Sequence, residues 1–392
     1  MLLSATAVSQ IKATLKAGIA SGEIAGGNLL VLHKGEEILY HEDGLADREK
    51  DIPIARDSIF RLYSMTKPMT ATAVMILLER GQLELFDPVS RFLPGFKNQS
   101  VAEDGRLVPV KRDVTVHDLL HMVSGLVYGG HHQAGRETEQ LFQEIDRKLL
   151  SDEPMGTVEI ANRLGRCPLS FQPGATWEYG TSADVLGAIV EVVSGMRFGE
   201  FLQKELFGPL GMQDTGFWVP DEKRGRLAKT YGDDGNGGLT LYTGDHLGIN
   251  HQANHAPAYE SGGAGLLSTI DDSAKFATML LNKGSLNGMQ ILRPRTVEYL
   301  TTATINARQQ AGFDNWYSLL GHSYGNMMRI MTDKTKAGIL GGTGEYGWDG
   351  WLGAYFANLP QEELSFLFMV QKKDAGTLPV TRKMRNIVLS TL

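Results

Sequence analysis

The chain has 392 residues, of which 42% are hydrophobic and 8% aromatic, so it can bury a large core in one large domain or in two interleaved domains. Its 45 acidic residues exceed its 38 basic residues and give a formal net charge of −7. Because no basic run accompanies this balance, neither nucleic acid nor an anionic membrane surface is expected as a partner. The composition favours chemistry on a small molecule.

The cysteine content and the start of the chain predict a compartment. Cys167 is the single cysteine, which excludes an internal disulfide framework. The start Met1-Leu2-Leu3-Ser4 lacks a basic region followed by a long apolar stretch, and no run of about 18 apolar residues predicts a membrane span. We therefore expect a cytoplasmic protein, and the sequence leaves open whether it is a monomer or a homo-oligomer.

The first predicted elements are a helix and a β-hairpin. Apolar residues spaced by three and four from Val8 to Ile19 predict an amphipathic opening helix. Strand-like runs at 28–33 and 37–41 flank Lys34-Gly35-Glu36, which is typical of a β-hairpin.

Two Ser-x-x-Lys tetrads occur in the chain, and their surroundings differ. Ser64-Met65-Thr66-Lys67 lies where the strand-like run 58–63 turns into a helical apolar stripe that ends at Gly81. Positions i and i+3 share a helix face, so the Lys67 amine is expected beside the Ser64 hydroxyl, where burial and the helix dipole favour a neutral amine. Such an amine accepts the serine proton, which makes Ser64 a candidate nucleophile. Ser9-Gln10-Ile11-Lys12 instead lies on the solvated edge of the opening helix.

The middle of the chain predicts helices and its end predicts strands. The stretch 231–254 is rich in Gly, Asp, Asn and His and predicts a loop near the site. Periodic apolar spacing predicts helices near 116–123, 137–150, 158–164, 182–194, 198–206, 268–281, 294–301 and 380–389, and strands are expected at 326–331, 351–358 and 364–371.

Strands at both chain ends indicate a single sheet. An isolated hairpin is marginally stable, so the terminal strands are expected to pair into one antiparallel sheet flanked by the first and last helices. The predicted fold class is α/β of the α+β type. Residues 1–66 and 262–392 would form the sheet domain, residues 67–261 an inserted and mainly helical domain, and the active site would lie at their interface.

Three further motifs make the chain resemble the serine β-lactamase and penicillin-binding-protein superfamily, in its class C branch. They are HDLLHMVSGL over 117–126, FQPGATWEY over 171–179 and SGGAGLLST over 261–269, which add to Ser64-x-x-Lys67. The resemblance covers nearly all of the chain. The resemblance implies a β-lactamase/transpeptidase-like fold. It places Tyr179 between the serine and the bound substrate, where Tyr179 would relay a proton from Ser64 to the leaving group and Lys67 would hold it toward the phenolate by charge. A buried structural tyrosine is the alternative.

The remaining family element departs from the usual pattern. The family's Lys-Thr-Gly or His-Thr-Gly aligns with Trp348-Asp349-Gly350, so the cation that helps receive a substrate carboxylate is missing. Such a Trp-x-Gly element resembles the family VIII carboxylesterases. The resemblance implies that Trp348 and Gly350 contact the substrate and that Asp349 faces away from it. Trp351, next along the strand, would supply its backbone N–H with that of Ser64 to an oxyanion hole.

Other residues have weaker functional signals. Tyr128, Trp218 and Tyr259 flank the motifs and are candidates for the wall of an acyl pocket, although core packing explains each of them equally well. The histidines at 131, 132, 246, 251 and 255 lack a recognised zinc-ligand spacing and are interpreted as polar loop residues.

The run Gly321-His322-Ser323-Tyr324-Gly325 fits the Gly-x-Ser-x-Gly elbow of α/β-hydrolases. An elbow requires a strand, a sharp turn and then a helix, followed later by an acidic residue and a histidine. Here a strand candidate follows Ser323, and no histidine follows His322. The elbow interpretation is therefore set aside.

The sequence predicts a serine carboxylesterase that cleaves short-chain esters through an acyl-enzyme on Ser64, without a metal or an organic cofactor. A β-lactamase, a D-peptidase or an acyltransferase on the same scaffold is the enzymatic alternative. The alternative from another class is a catalytically silent scaffold or binding protein. The joint presence of Ser64, Lys67 and Tyr179 argues against silence. The acyl group, the alcohol and the stereochemical preference stay open.

Overall fold

The computed structural model describes residues 3–392, so Met1 and Leu2, part of the chain start interpreted above, lie outside the described residues. The strands are β1 Gly26–His33, β2 Glu36–Asp47, β3 Ile52–Pro53, β4 Phe60–Arg61, β5 Ser100–Glu103, β6 Arg106–Pro109, β7 Thr230–Asp233, β8 Leu239–Tyr242, β9 Leu267–Ser268, β10 Ser285–Leu286, β11 Met289–Gln290, β12 His322–Gly325, β13 Met328–Met331, β14 Tyr346–Asp349, β15 Tyr355–Leu359 and β16 Leu364–Val370.

The α-helices occupy the chain termini and the segments between the strands. They are α1 Ala5–Ala20, α2 Lys67–Glu79, α3 Val116–Leu120, α4 Gln133–Lys148, α5 Thr157–Arg166, α6 Ser182–Ser194, α7 Phe198–Leu202, α8 Gly208–Leu210, α9 Ile270–Leu281, α10 Pro294–Thr302, α11 Ala307–Phe313 and α12 Pro379–Leu389. None of the helices within residues 3–392 is both long enough and apolar enough to cross a bilayer.

One antiparallel sheet organises the fold. Within residues 3–392 it contains eight strands in the order β12-β13-β14-β15-β16-β1-β2-β3. The two chain ends meet where β1 pairs with β16, with Leu30 opposite Leu367. Every residue of β16 is buried. The prediction of one antiparallel sheet built from both ends of the chain is confirmed.

The two faces of the sheet bury different sets of helices. Successive residues of a strand point to opposite faces, and in β1 Leu29 and Val31 pack with the terminal helices α1 and α12. Leu30 and Leu32 pack instead into the larger core that contains α2, α6 and α9. The terminal helices therefore cover one face, and α9 together with helices from the middle of the chain, including α2 and α6, packs on the other.

Helix α2 lies at the centre of the larger core. Every residue from Lys67 to Leu77 is buried, and α2 packs against α6. A helix that is apolar around its whole circumference is expected in such a position. The consequence for the site is that Lys67, the first residue of α2, is enclosed by protein.

The structure corrects several of the predicted elements. The stretch 231–254 is not a loop throughout, because β7 and β8 pair as a hairpin closed by Asp234, which accepts the N–H groups of Asn236 and Gly238. β12 was not predicted, since four residues with a glycine and a histidine show no apolar alternation. β13 begins at Met328, and the two residues before it form a turn in the left-handed region.

Leu15→Ala is expected to reduce the free energy of unfolding by about 2–5 kcal/mol, because Leu15 is buried between α1 and the sheet and its truncation leaves a cavity. Ser9→Ala, on the exposed side of α1, is the control and is expected to change stability by less than about 0.5 kcal/mol. Guanidinium unfolding measures both. Equal midpoints for the two variants would contradict the packing of α1.

Candidate active site

A short 3₁₀ helix, Tyr63–Thr66, joins β4 to α2 and carries Ser64. Tyr63 has a φ of 46°, in the left-handed region that non-glycine residues rarely adopt. Its buried ring packs on Trp351 at 4.9 Å between centroids, which helps to hold this conformation. A sparsely populated backbone conformation that persists beside a nucleophile candidate is typical of a functional site.

The Lys67 amine contacts three oxygen atoms. Its Nζ lies 3.1 Å from the Ser64 Oγ, 3.2 Å from the Tyr128 hydroxyl and 2.8 Å from the Gly263 carbonyl oxygen. Complete burial lowers the pKa of Lys67 to about 7, although nearby Asp184 and Asp349 act in the opposite direction. A large fraction of the amine is therefore neutral at neutral pH, and the expected i,i+3 contact is present in the structure.

Tyr179 lies on the other side of Ser64. Its hydroxyl is hydrogen-bonded to the Ser64 side chain and accepts the indole N–H of Trp348 at 3.1 Å. Burial raises the pKa of Tyr179, which outweighs the hydrogen bonds that favour the charged form. The expectation that Lys67 holds Tyr179 toward the phenolate is therefore corrected, since Tyr179 is a protonated phenol at neutral pH.

A buried carboxylate behind Lys67 was missed from the sequence. The Asp184 Oδ1 accepts the hydroxyls of Tyr259 and Ser261 and the backbone N–H of Gly263. Tyr259 thus anchors the interior and does not line an acyl pocket, which corrects its predicted role. An acidic residue in the first turn of a helix is common for electrostatic reasons, so the sequence offered no specific signal for Asp184.

Gly350, the residue after β14, packs against the segment that precedes Ser64. A Cβ atom at Gly350 would lie 2.2 Å from the carbonyl oxygen of Leu62, so only glycine permits this contact. The sequence predicts that Trp351 continues the strand, but β14 ends at Asp349. Trp351 lies instead in a turn, which is closed by a hydrogen bond of 2.8 Å from the Gly353 N–H to the Gly350 carbonyl oxygen. The Trp351 indole donates to Asp374 and its ring covers Tyr63.

Trp348 and Asp349 point to opposite faces of the sheet. Trp348 is buried in the larger core, 5.7 Å from the Tyr179 ring, whereas Asp349 accepts the Thr377 hydroxyl at 2.7 Å. Arg329 is on the Asp349 side, with its buried guanidinium 4.6 Å from the Tyr355 ring. Arg329 is therefore not placed to replace the missing cation beside Trp348, and Lys334 is exposed in a turn.

Aromatic rings surround the Tyr179 side of the site. Trp316, which was not predicted, lies 5.2 Å from Tyr179 and 6.0 Å from Trp348 between ring centroids and is 37% exposed. Tyr128 lies 5.8 Å from Tyr179 and also contacts Lys67, whereas Trp218 is exposed at the surface. Trp316 comes from the loop after α11, and no local pattern links this loop to Tyr179.

The alternative motifs do not form sites. Ser323 is buried within β12, with no turn into a helix, which excludes an α/β-hydrolase elbow. His132 caps α4 by accepting the Gly135 N–H, and His246 stacks on Trp351 at 4.3 Å. Across residues 3–392, no group of three His, Cys, Asp or Glu side chains is arranged to hold a metal ion.

Comparison with known proteins identifies the family and the fold. The Beta-lactamase family model matches residues 11–388. Esterase EstB of Burkholderia gladioli is 31% identical over 363 residues, with 88% of this chain and 86% of EstB covered. Protein Rv1367c of Mycobacterium tuberculosis is 30% identical over 378 residues, with 93% of this chain and 88% of Rv1367c covered. The structure of EstCE1, described as a hydrolase with promiscuous acyltransferase activity, has a TM-score of 0.82 and 25% identity, with 98% and 99% covered.

A serine hydrolase of the β-lactamase and penicillin-binding-protein type is the class that this fold and its relatives define. The chain belongs to the beta-lactamase family, as the match across nearly its full length shows.

Ser64→Ala is expected to abolish covalent labelling by a fluorophosphonate, because Ser64 has an amine and a phenol placed to activate it. Gel fluorescence of the labelled protein measures the effect. Ser9→Ala and Ser323→Ala are matched controls that should keep the signal. A labelled Ser64→Ala protein together with an unlabelled Ser323→Ala protein would overturn the assignment of the nucleophile.

Proposed function

We propose that the protein is a serine carboxylesterase of the family VIII type, which cleaves short-chain esters through an acyl-enzyme on Ser64. The observation that carries the proposal is the buried amine of Lys67, with a pKa of about 7, at 3.1 Å from the Ser64 Oγ. A nucleophile beside a base of suitable pKa is the basic requirement of acyl transfer. The esterase name of the EstB relative supports the same reaction class.

Acylation begins with proton transfer from Ser64 to the neutral amine of Lys67. The Ser64 oxygen then attacks the ester carbonyl carbon. The developing oxyanion accepts hydrogen bonds from the backbone N–H groups of Ser64 and Trp351. The close approach of Gly350 to the Leu62 carbonyl supports this pairing, because it brings the turn that contains Trp351 next to Ser64.

The leaving alkoxide takes the phenolic proton of Tyr179, which regains a proton from the Lys67 ammonium. The Trp348 indole supports this role, because its hydrogen bond to the Tyr179 oxygen orients the hydroxyl. In deacylation a water molecule donates its proton along the same relay and attacks the acyl carbon. The free acid then leaves and Ser64 regains its proton.

Acyl transfer to an alcohol is the second candidate function. The same acyl-enzyme would react with an alcohol in place of water, with Tyr179 and Lys67 receiving the alcohol proton. The observation that favours it is the full-length likeness to EstCE1, a hydrolase described as having promiscuous acyltransferase activity. Product analysis with and without an added short alcohol separates transfer from hydrolysis.

The domain arrangement that we propose divides the site between two parts of the chain. Residues 1–66 and 262–392 contribute Ser64, Trp348 and the turn at Gly350, and residues 67–261 contribute Lys67, Tyr128 and Tyr179. The position of α2 and α6 on the face of the sheet opposite α1 and α12 supports this division. The reacting groups accordingly belong to the boundary between the sheet and the helical middle.

Lys67→Ala and Tyr179→Phe are each expected to lower kcat for p-nitrophenyl butyrate by at least a hundredfold, because each interrupts one proton relay. The double variant is expected to be little worse than either single variant, since residues that act as one unit are non-additive. Steady-state kinetics on folded variants, verified by circular dichroism, measures the coupling. Multiplicative losses in the double variant would show that the two groups act independently.

Neutral esters are expected to be better substrates than carboxylate-bearing ones, because Trp348 stands where the family carries a cation. An unpaired carboxylate loses a charge-assisted hydrogen bond of about 1.5–3 kcal/mol, or about ten- to a hundredfold in kcat/KM. The measurement compares p-nitrophenyl acetate and butyrate with nitrocefin. A matched pair, p-nitrophenyl valerate and mono-p-nitrophenyl glutarate, isolates the charge. Values for nitrocefin or the glutarate that equal those of the neutral esters would contradict the prediction.

A further inference from the structure

Asp184 is a buried carboxylate at the start of α6, with only 3% of its surface exposed. A single oxygen, Oδ1, accepts the Tyr259 hydroxyl at 2.7 Å, the Ser261 hydroxyl at 2.5 Å and the Gly263 N–H at 3.0 Å. Among the ion pairs formed by residues 3–392, none includes Asp184. A buried charge held only by neutral donors is costly to keep and has to be explained.

The segment that Asp184 binds is the one that holds Lys67. The Gly263 N–H donates a hydrogen bond to the Asp184 Oδ1. The Gly263 carbonyl oxygen accepts a hydrogen bond from the Lys67 Nζ at 2.8 Å. The adjacent Gly262 carbonyl accepts the Thr70 hydroxyl of α2 at 2.7 Å. Asp184 is thus connected to the amine of Lys67 through one residue, and α2 is tied to the same segment at two points.

The glycines of this segment are required by close approach. A Cβ atom at Gly263 would lie 2.6 Å from the Asp184 Oδ2, and one at Gly262 would lie 2.3 Å from the Ala183 carbonyl oxygen. The first turn of α6 therefore presses directly against the segment. The Ser261 hydroxyl also accepts the Ala264 N–H at 3.0 Å, which closes the turn around Gly263.

Asp184 also acts on Lys67 through its charge. The charged groups whose fields act on the amine are Asp184 from α6 and Asp349 from β14. Its other side-chain neighbours, Tyr128 and Tyr179, are phenols whose pKa values are raised by burial. Asp349 does not anchor this segment, because its carboxylate accepts a hydrogen bond from the Thr377 hydroxyl on the other side of the sheet. The larger electrostatic effect that opposes desolvation of the ammonium is that of Asp184.

We propose that Asp184 is a positioning residue of this site, which holds Gly263 so that its carbonyl oxygen accepts a hydrogen bond from Lys67. The negative charge of Asp184 also stabilises the ammonium form of Lys67. The proposal rests on the proposed function, since it assumes that Lys67 is the base for Ser64. It adds to that function a residue that sets both the position of the base and the pH range in which the base is active.

The decisive variant is Asp184→Asn, which keeps the size and one acceptor oxygen but removes the charge. Because neutral Lys67 is the active form, kcat/KM for p-nitrophenyl butyrate rises with pH through the pKa of about 7 in the parent protein. Without the negative charge the ammonium is less stable, so its pKa falls and the rise moves to lower pH. A shift of about one pH unit would raise kcat/KM at pH 5.5, relative to its own plateau, about eightfold.

The plateau value of kcat at high pH reports whether the Gly263 carbonyl still holds Lys67 in place. Weaker anchoring is expected to lower kcat several-fold and to leave KM within about twofold, because the displaced group is the base and not a substrate contact. Tyr259→Phe keeps the charge and loses one donor, so its pH profile should rise at the parent position. Asp272→Asn is the matched control, because Asp272 is a buried carboxylate in the first turn of α9 that is paired with Lys275. It is expected to lower the melting temperature without moving the profile.

A uniform loss of kcat/KM at every pH in Asp184→Asn, with the rise unmoved, would reduce Asp184 to a structural residue and overturn the proposal. If Asp184→Asn does not fold, Ser261→Ala carries the test, since it removes one tie of the segment to Asp184. An unchanged kcat in Ser261→Ala would then overturn the positioning role. Full activity of Ser64→Ala would instead refute the proposed function, so the two failures are distinguishable.

Discussion

The burial of one amine against one hydroxyl is the interaction on which this site depends. Desolvation makes the charged form of Lys67 costly and brings its pKa to about 7, so an ordinarily cationic side chain is available as a base. That burial exists because α2 is apolar around its whole circumference and begins at Lys67. The helix that forms the centre of the core is thus also the element that carries Lys67.

Close approaches of backbone bring the other groups to this amine. Gly350 meets the segment before Ser64, Gly262 and Gly263 meet the first turn of α6, and Tyr63 keeps a left-handed conformation under the ring of Trp351. Each contact leaves no room for a Cβ atom or requires an unusual φ. The packing of β14, α2 and α6 therefore fixes the position of Lys67 and of the segments around it.

Local patterns predicted what local patterns determine. The contact between Ser64 and Lys67 follows from the i,i+3 spacing, and the sheet from both chain ends follows from the apolar runs of β1 and β16. Asp184 and Trp316 were missed because their roles arise from contacts with residues far away in sequence. The β7–β8 hairpin was missed because its residues are polar. The protonated state of Tyr179 was missed because a motif does not show how deeply a side chain is buried.

Trp348 affects the electrostatics of the site. A lysine at this position would place a second positive charge beside Lys67, and repulsion between them would favour the neutral amine. Trp348 brings no charge, and its indole N–H instead holds the oxygen of Tyr179. The neutral amine therefore depends on desolvation alone, with Asp184 and Asp349 acting against it. In a site without a second cation, the buried carboxylate of Asp184 keeps the pKa of the base near neutrality, which is where a general base is most effective.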